Sequence, residues 1–350
     1  MHKVHVETGK PYDVLIGSGL MEQAGEMIAR VISPCRAAII SDDTVDALYS
    51  EKVEKSLQKA GFSVCKTHFR HGEENKNLHT YMQLMDFLCE QQITRSDIIV
   101  ALGGGVVGDT AGFAAATYLR GIRFVQMPTT LLAMVDSSVG GKTAVDLPRG
   151  KNLCGAFWQP SLVICDTDAL KTLPEETFVD GLAECFKHGV LQDESLFELL
   201  QEKNGDIGEI VARNVQIKAK VVAQDERDTG LRQQLNLGHT LGHAVEKLSN
   251  FTITHGQAVA IGMAYAAKIA CSLGVCDESV PVRIEKALAA TGLPVRAPYT
   301  AQDIAHVALG DKKRAGDVIR MVLPEKIGAC RLHDVHVDVL RQVIALGVDA

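Results

Sequence analysis

The chain lacks most of the features that would place it outside the ordinary globular proteins. It has nine cysteines, an odd number, and no Cys-x-x-Cys pair. A disulfide framework and a cysteine-based zinc finger are therefore not expected, and a reducing compartment is. It has no excess of positive charge. The 36 Lys and Arg stand against 43 Asp and Glu, a net of −7, which argues against a protein that coats nucleic acid. It has no long apolar run free of charge. The most apolar stretch, residues 98–119, contains Asp109 and is dense in glycine, so no membrane span is expected. The opening Met1-His2-Lys3-Val4-His5-Val6-Glu7 alternates like a strand and lacks the apolar core of a signal peptide. Internal repeats and low-complexity tracts are missing too, which excludes repeat architectures. The expectation is a soluble, cytoplasmic protein.

What is there reads as two domains. A length of 350 residues divides into two at roughly 150 residues per domain. Residues 37–43 form an apolar run that ends in acidic residues. Helical spacing follows over 45–60, then a strand over 63–68 and an amphipathic helix over 78–91. The run 97–102 is stopped by three glycines, and strands follow at 124–128 and 162–166. Such alternation predicts a parallel α/β sheet. After about Pro174 the apolar spacing becomes helical almost throughout: 175–192, 194–201, 205–224, 234–249, 255–273 and 279–291. The expected division is 1–170 and 171–350.

Four constellations carry chemistry. Gly103-Gly104-Gly105-Val106-Val107-Gly108-Asp109 follows a strand and opens a helix, where backbone N–H groups favour a phosphate. It is not Gly-x-Gly-x-x-Gly, and a ligand-free turn is the plain alternative. Asp42, ending a strand, suits a ribose hydroxyl or a helix N-cap equally well. Asp136-Ser137-Ser138-Val139-Gly140-Gly141-Lys142, with Lys151-Asn152 beyond it and Pro128-Thr129-Thr130 before it, is either a phosphate site or a polar surface loop. Gly238-His239-Thr240-Leu241-Gly242-His243 sets two histidines four residues apart on one helix face. With His255 and with Glu184, one turn before Lys187, they form a zinc-type ligand set. His333 and His336 are assigned to ordinary polar packing. Lys142, Lys151, Lys187, Lys218, Arg232, Lys312 and Lys313 lie near these motifs and, taken together, point to an anionic small substrate despite the net charge.

These motifs, with Glu184-Cys185-Phe186-Lys187, Leu235-Asn236, His255-Gly256 and Asp311-Lys312-Lys313, occur in one order along nearly the whole chain. In that order they resemble the 3-dehydroquinate synthases, a family of sugar-phosphate cyclases. The resemblance implies an α/β, Rossmann-like NAD-binding domain followed by a mostly α-helical metal-binding domain. It also implies a homodimer and a site in the interdomain cleft. The substrate it implies is 3-deoxy-D-arabino-heptulosonate 7-phosphate, converted to 3-dehydroquinate and phosphate. Glu184, His239 and His255 would bind Zn²⁺ or Co²⁺. Asp42, Glu73, Lys76, Gly103, Gly104, Gly105, Asp109, Thr129, Thr130 and Thr172 would hold NAD, with Lys142 and Lys151 beside it. Lys142, Asn152, Asn236, His243 and one of Lys312 and Lys313 would surround the phosphate end of the substrate. Arg120 would reach the phosphate in the neighbouring subunit's site. Lys218 and Arg232 would pair with the carboxylate, and Asp136, Lys151 and Lys187 would contact hydroxyls. The resemblance places Asp136, Lys142, Lys187, Arg232, Asn236 and His243 in the catalytic machinery. Neither nucleic acid nor membrane is an expected partner.

Two positions depart from the family pattern. Asp228 and Gln257 stand where glutamate is common. Three other readings compete: an inosose synthase, a metal-dependent polyol dehydrogenase, and a nucleotide-binding regulator without chemistry. Lys218 and Arg232 speak against the first, the phosphate cluster against the second, and the intact ligand set against the third.

Overall fold

The computed structural model describes residues 1–202, 205–312 and 317–349, without the side chains of 310–312. The chain divides into two compact units. The first comprises Met1–Pro174 and Ile207–Arg227, and the second Glu175–Asp206 and Asp228–Ala350. The expected division at residue 170 is continuous, whereas the helix Ile207–Gln224 returns to the first unit, where it packs against β1 (His2–Val6).

The first unit is built on a seven-stranded sheet. In chain order its strands are β1, β2 (Tyr12–Gly17), β3 (Arg36–Asp42), β4 (Ser63–Phe69), β5 (Ile98–Gly103), β6 (Arg123–Pro128) and, after a separate hairpin, β9 (Leu162–Asp166). The spatial order is β1-β2-β9-β6-β5-β3-β4, and every pairing except β1 with β2 is parallel. All six residues of β5 are buried, as are six of the seven in β3. Both faces of these strands are therefore covered, which is why they read as unbroken apolar runs. Ile40, Ile99 and Phe124 share a core with Leu84 and Leu88 of the helix Leu78–Glu90 and with Ala111 and Ala114 of the helix Gly105–Thr117.

Strand order reverses between β3 and β5. The chain runs outward from β3 to β4, then returns to β5 on the other side of β3. In open parallel sheets a ligand crevice lies outside the carboxyl ends of the strands at such a switch point. Ser41 is in register with Leu102, so Asp42 and Gly103 come side by side at that place.

At the opposite end of β5, Asp97 ties the strand starts together. Its carboxylate accepts from the Arg36 amide at 2.9 Å, the Thr94 amide at 2.7 Å and the Thr94 hydroxyl at 2.7 Å. Burial pushes its pKa up, but these bonds outweigh burial and hold it below the usual carboxylate value. A depressed folded pKa gives stability that is complete above the ordinary carboxylate range and is lost as pH falls through the folded value. Asp97→Ala is expected to cost about 1.5–3 kcal/mol at neutral pH. The melting curves of the variant and the parent should converge in strong acid; a gap that persists there would count against this role.

Two hairpins were not anticipated from the sequence. β7 (Lys142–Leu147) pairs antiparallel with β8 (Gly150–Phe157), where a polar loop was an open reading. Four of the eight residues of β8 are exposed and the other four half-buried, and its sequence lacks the regular apolar alternation that marks a strand packed on a core. β10 (Val318–Lys326) pairs antiparallel with β11 (Ala329–His336) in the second unit, within the half that reads as helical. His333 and His336 lie on β11, exposed or half-buried.

The second unit is otherwise helical. Its central helix, His255–Ser272, is buried along nearly its whole length and is rich in alanine and glycine. Small residues let it approach the helix His239–Leu248 closely: a Cβ on Gly262 would fall 1.9 Å from the Gly238 carbonyl oxygen. Among the described residues no helix is long and apolar enough to cross a membrane.

Candidate metal centre and cofactor cradle

Three helices of the second unit converge on one point. Glu184, fully buried on the helix Glu175–Gln192, directs Oε1 to within 3.3 Å of His255 Nε2 and 3.5 Å of His239 Nε2. The ligand atoms of these three residues all lie within 4.8 Å of one another. Lys187, one turn on, is buried against Glu184 Oε2. The His239 ring meets the Leu237 carbonyl through Nδ1 at 3.1 Å. With the proton on Nδ1, the ring donates there and leaves the Nε2 lone pair facing Glu184. His243 stacks edge-on to His239, ring centroids 5.2 Å apart, and is itself exposed.

Burial works against the Glu184 carboxylate, yet Lys187, His255 and His239 hold its pKa well below the usual value. Burial pulls His255 down, but the hydrogen bond to Glu184 and the nearby Glu246 carboxylate outweigh it and raise this imidazole to about 10. Burial and Lys187 push His239 down to about 3. Two imidazole nitrogens and one carboxylate oxygen, all within 4.8 Å of one another, form the donor set of a catalytic zinc site.

The sequence did not single out Glu246 or Asp180. Glu246 is buried, and its Oε2 lies 3.9 Å from His255 Nδ1, on the side of the ring away from Glu184. A carboxylate there orients a metal-binding imidazole. Its signal was available, because Glu246 stands three residues after His243 on the same helix face. Asp180 accepts from the backbone at the start of the His255 helix.

Both departures are accommodated locally. Gln257 completes a capping box with Thr254 at the start of the His255 helix. Asp228 has φ +58°, a left-handed conformation that aspartate enters more readily than glutamate.

In the first unit, Gly104 precedes the helix Gly105–Thr117, whose N-terminus has no side-chain cap. A Cβ on Gly104 would stand 3.0 Å from the Thr130 methyl, and one on Gly105 would stand 3.2 Å from Ser137 Oγ. Glycine keeps this turn open for backbone N–H groups to meet an anion. Thr129 is buried, and its amide donates to the Gly103 carbonyl at 3.0 Å. Thr130 Oγ1 accepts from the Ala133 amide at 3.2 Å. The Asp42 carboxylate accepts from the Thr44 and Val45 amides at 3.0 and 2.9 Å, so it does serve as an N-cap.

Beside the cradle lies a charged cluster. Buried Lys76 donates to Asp109 Oδ2 and to Asn152 Oδ1, both at 2.6 Å. Glu73 Oε1 lies 4.0 Å from Lys76 and 3.9 Å from Lys151. Burial pulls the Lys76 pKa down, but Asp109 and Glu73 outweigh it and keep the ammonium charged. Residues expected at the cofactor and residues expected at the substrate thus meet in one network. Lys218, buried on the returning helix, pairs with Asp136 at 2.7 Å.

Other expected site residues lie in turns or at a strand start. Thr172 bonds with Tyr49 in the turn after β9. Lys142 begins β7 with its side chain exposed. Arg120 is exposed in a left-handed run, with φ +50° at Leu119, +68° at Arg120 and +117° at Gly121. Arg232 is buried and Asn236 exposed in the turn Leu231–Asn236. The Lys312 side chain and the whole of Lys313 lie outside the described residues.

Residues 66–180 match the family model described as 3-dehydroquinate synthase N-terminal, and residues 181–314 match 3-dehydroquinate synthase C-terminal. A 3-dehydroquinate synthase of Pelobacter propionicus is 49% identical over 329 residues, covering 91% of this chain and 92% of that protein. Among solved structures, a 2-deoxy-scyllo-inosose synthase complexed with carbaglucose-6-phosphate, NAD⁺ and Co²⁺ is similar with a TM-score of 0.86 at 27% identity, covering 99% of this chain and 100% of the other. The 2-epi-5-epi-valiolone synthase of Streptomyces hygroscopicus, with NAD⁺ and Zn²⁺ bound, has a TM-score of 0.87 at 27% identity, covering 98% of each chain.

Proposed function

The chain belongs to the 3-dehydroquinate synthase family, and from that premise we propose that it converts 3-deoxy-D-arabino-heptulosonate 7-phosphate to 3-dehydroquinate and phosphate, the second step of the shikimate pathway. The observation that carries this reading is the convergence of Glu184, His239 and His255, within the segment matched by the C-terminal family model. The reaction is redox-neutral overall: transient oxidation, β-elimination of phosphate, re-reduction, ring opening and intramolecular aldol closure.

When bound, NAD would exchange the hydride and a divalent metal, Zn²⁺ or Co²⁺, would polarise the alcohol oxygen. Glu184, His239 and His255 would hold the metal, the first kept ionised by Lys187. Glu246 would hold the His255 ring in register. The turn at Gly103, Gly104 and Gly105 would receive the pyrophosphate, flanked by Asp42, Thr129, Thr130 and Thr172. Lys76 would fix Asp109 and Asn152, while Glu73 and Lys151 complete that network.

The substrate carries a carboxylate and a phosphate, and the buried cations suit it. Lys218, steadied by Asp136, and Arg232 are proposed for the carboxylate. Lys142, Asn152, Asn236, His243 and one of Lys312 and Lys313 are proposed for the phosphate end. Asp136, Lys151 and Lys187 are proposed for the hydroxyls. We propose a cytoplasmic homodimer in which Arg120 reaches the phosphate of the partner subunit's site. The left-handed run around Arg120 supports this, because such backbone strain persists where a side chain must be aimed.

Purified protein supplied with NAD⁺ and Zn²⁺ should release inorganic phosphate from the heptulosonate phosphate without net NADH, and a chelator should stop the release. Stoichiometric NADH without phosphate would instead indicate a dehydrogenase. Equal turnover of a hexose phosphate that lacks the carboxylate would indicate an inosose synthase.

A further inference from the structure

We infer that Asp180 is a positioning residue for the metal centre, fastening the start of the helix that carries His255 to the helix that carries Glu184. The inference rests on the metal-binding role proposed above for Glu184, His239 and His255. Asp180 precedes Glu184 by four residues, about one turn on the same helix. Its Oδ1 accepts from the Gln257 amide at 3.1 Å and also from the Thr254 hydroxyl. Thr254 is the N-cap of the His255 helix, and Gln257 Oε1 accepts back from the Thr254 amide at 3.2 Å. The first N–H groups of a helix have no partner within it, and they carry the positive end of its dipole. Here a carboxylate from the neighbouring helix answers both needs.

The two backbones touch at this joint. A Cβ on Gly256 would fall 2.0 Å from the Asp180 carbonyl oxygen, so a larger residue would force the helices apart. His255 is the residue before Gly256, and Glu184 is one turn beyond Asp180. The 3.3 Å approach of His255 Nε2 to Glu184 Oε1 is therefore set across a joint that lies next to both ligands. Zinc-type sites need donors near 2 Å in fixed directions, so a loosened helix start would misplace one donor of three. The joint also accounts for Gln257. Its neutral amide closes the capping box without adding a second carboxylate to a helix start that already holds one.

The test measures Zn²⁺ and Co²⁺ affinity of the full chain by chelator competition, with the Co²⁺ absorption spectrum reporting coordination geometry. Asp180→Ala should bind metal about 10- to 100-fold more weakly, as is typical for groups supporting metal ligands. Its Co²⁺ spectrum should change while circular dichroism stays native. Asp180→Asn keeps Oδ1 as an acceptor and should stay within about threefold of the parent. Parent-like affinity and spectrum in Asp180→Ala would overturn the inference, as would a folded Asp180→Asn as weak as the alanine variant. If Asp180→Ala does not fold, Thr254→Val carries the test: weakened metal binding supports the joint, and unchanged binding overturns it. A parent protein that binds no metal, or a Glu184→Gln variant that binds it normally, would overturn the metal site itself and this inference with it.

Discussion

His255→Ala should empty the metal site and lower phosphate release on the order of a thousandfold, while leaving the chain folded. The rate figure follows from the several kcal/mol that a Lewis-acid metal contributes to a transition state. Folding should survive because the His255 side chain is 34% exposed and supports little of the core. Glu184 offers a less clean test. Removing its charge strands Lys187, which is 2% exposed, and breaking such a buried pair costs about 3–5 kcal/mol of stability. Loss of activity there would mix unfolding with metal loss. Metal content by elemental analysis, beside circular dichroism, checks the His255 result. Undiminished metal in a folded His255→Ala protein would show that the ligand set is wrong.

Lys76→Met should lower stability by about 3–5 kcal/mol. It removes the ammonium 2.6 Å from both Asp109 and Asn152 and leaves the half-buried Asp109 carboxylate without it. Lys76→Met combined with Asp109→Leu should recover much of the loss, since an apolar pair of similar volume replaces a buried ion pair at little cost. Urea unfolding followed by fluorescence gives the measurement. The only tryptophan, Trp158, lies in the same unit as Lys76 and donates to the Ile122 carbonyl at 2.9 Å. A loss below about 1 kcal/mol would mean that the pair behaves as an exposed one. NAD affinity, measured on the same protein, should fall in Lys76→Met, because the cluster borders the proposed cofactor turn.

The legible parts of this molecule are those in which one local pattern has one physical solution. β3 and β5 could be read because strands covered on both faces are apolar throughout and end in residues that break them. His239 and His243 stood out because imidazoles four apart share a helix face, and His255 followed at the start of the next helix. Other parts were hidden because their meaning depends on a partner distant in sequence. Glu246 and Asp180 have the composition of surface carboxylates until His255 and Thr254 are placed beside them. Asp42 remained ambiguous because a strand-ending carboxylate can serve a ligand or a helix start, and here it does meet helix amides. The apolar stripe of Ile207–Gln224 showed that the helix is buried, but not against which unit. β10 and β11 carry no signal that sets them apart from their helical neighbours.

The excursion of Ile207–Arg227 back to the first unit also bears on how the chain acquires its structure. During synthesis, β1 must wait for a helix made long after the rest of its sheet, and Lys218 arrives to meet Asp136 only then. The amino-terminal unit cannot be completed before Glu175–Asp206 has also emerged, so the two halves mature as interleaved products of translation rather than one after the other. A gene cut at Pro174 would yield a sheet with an uncovered flank, prone to aggregate. A chimera that exchanges whole halves with a relative would have to carry the 207–227 segment along with the amino-terminal piece.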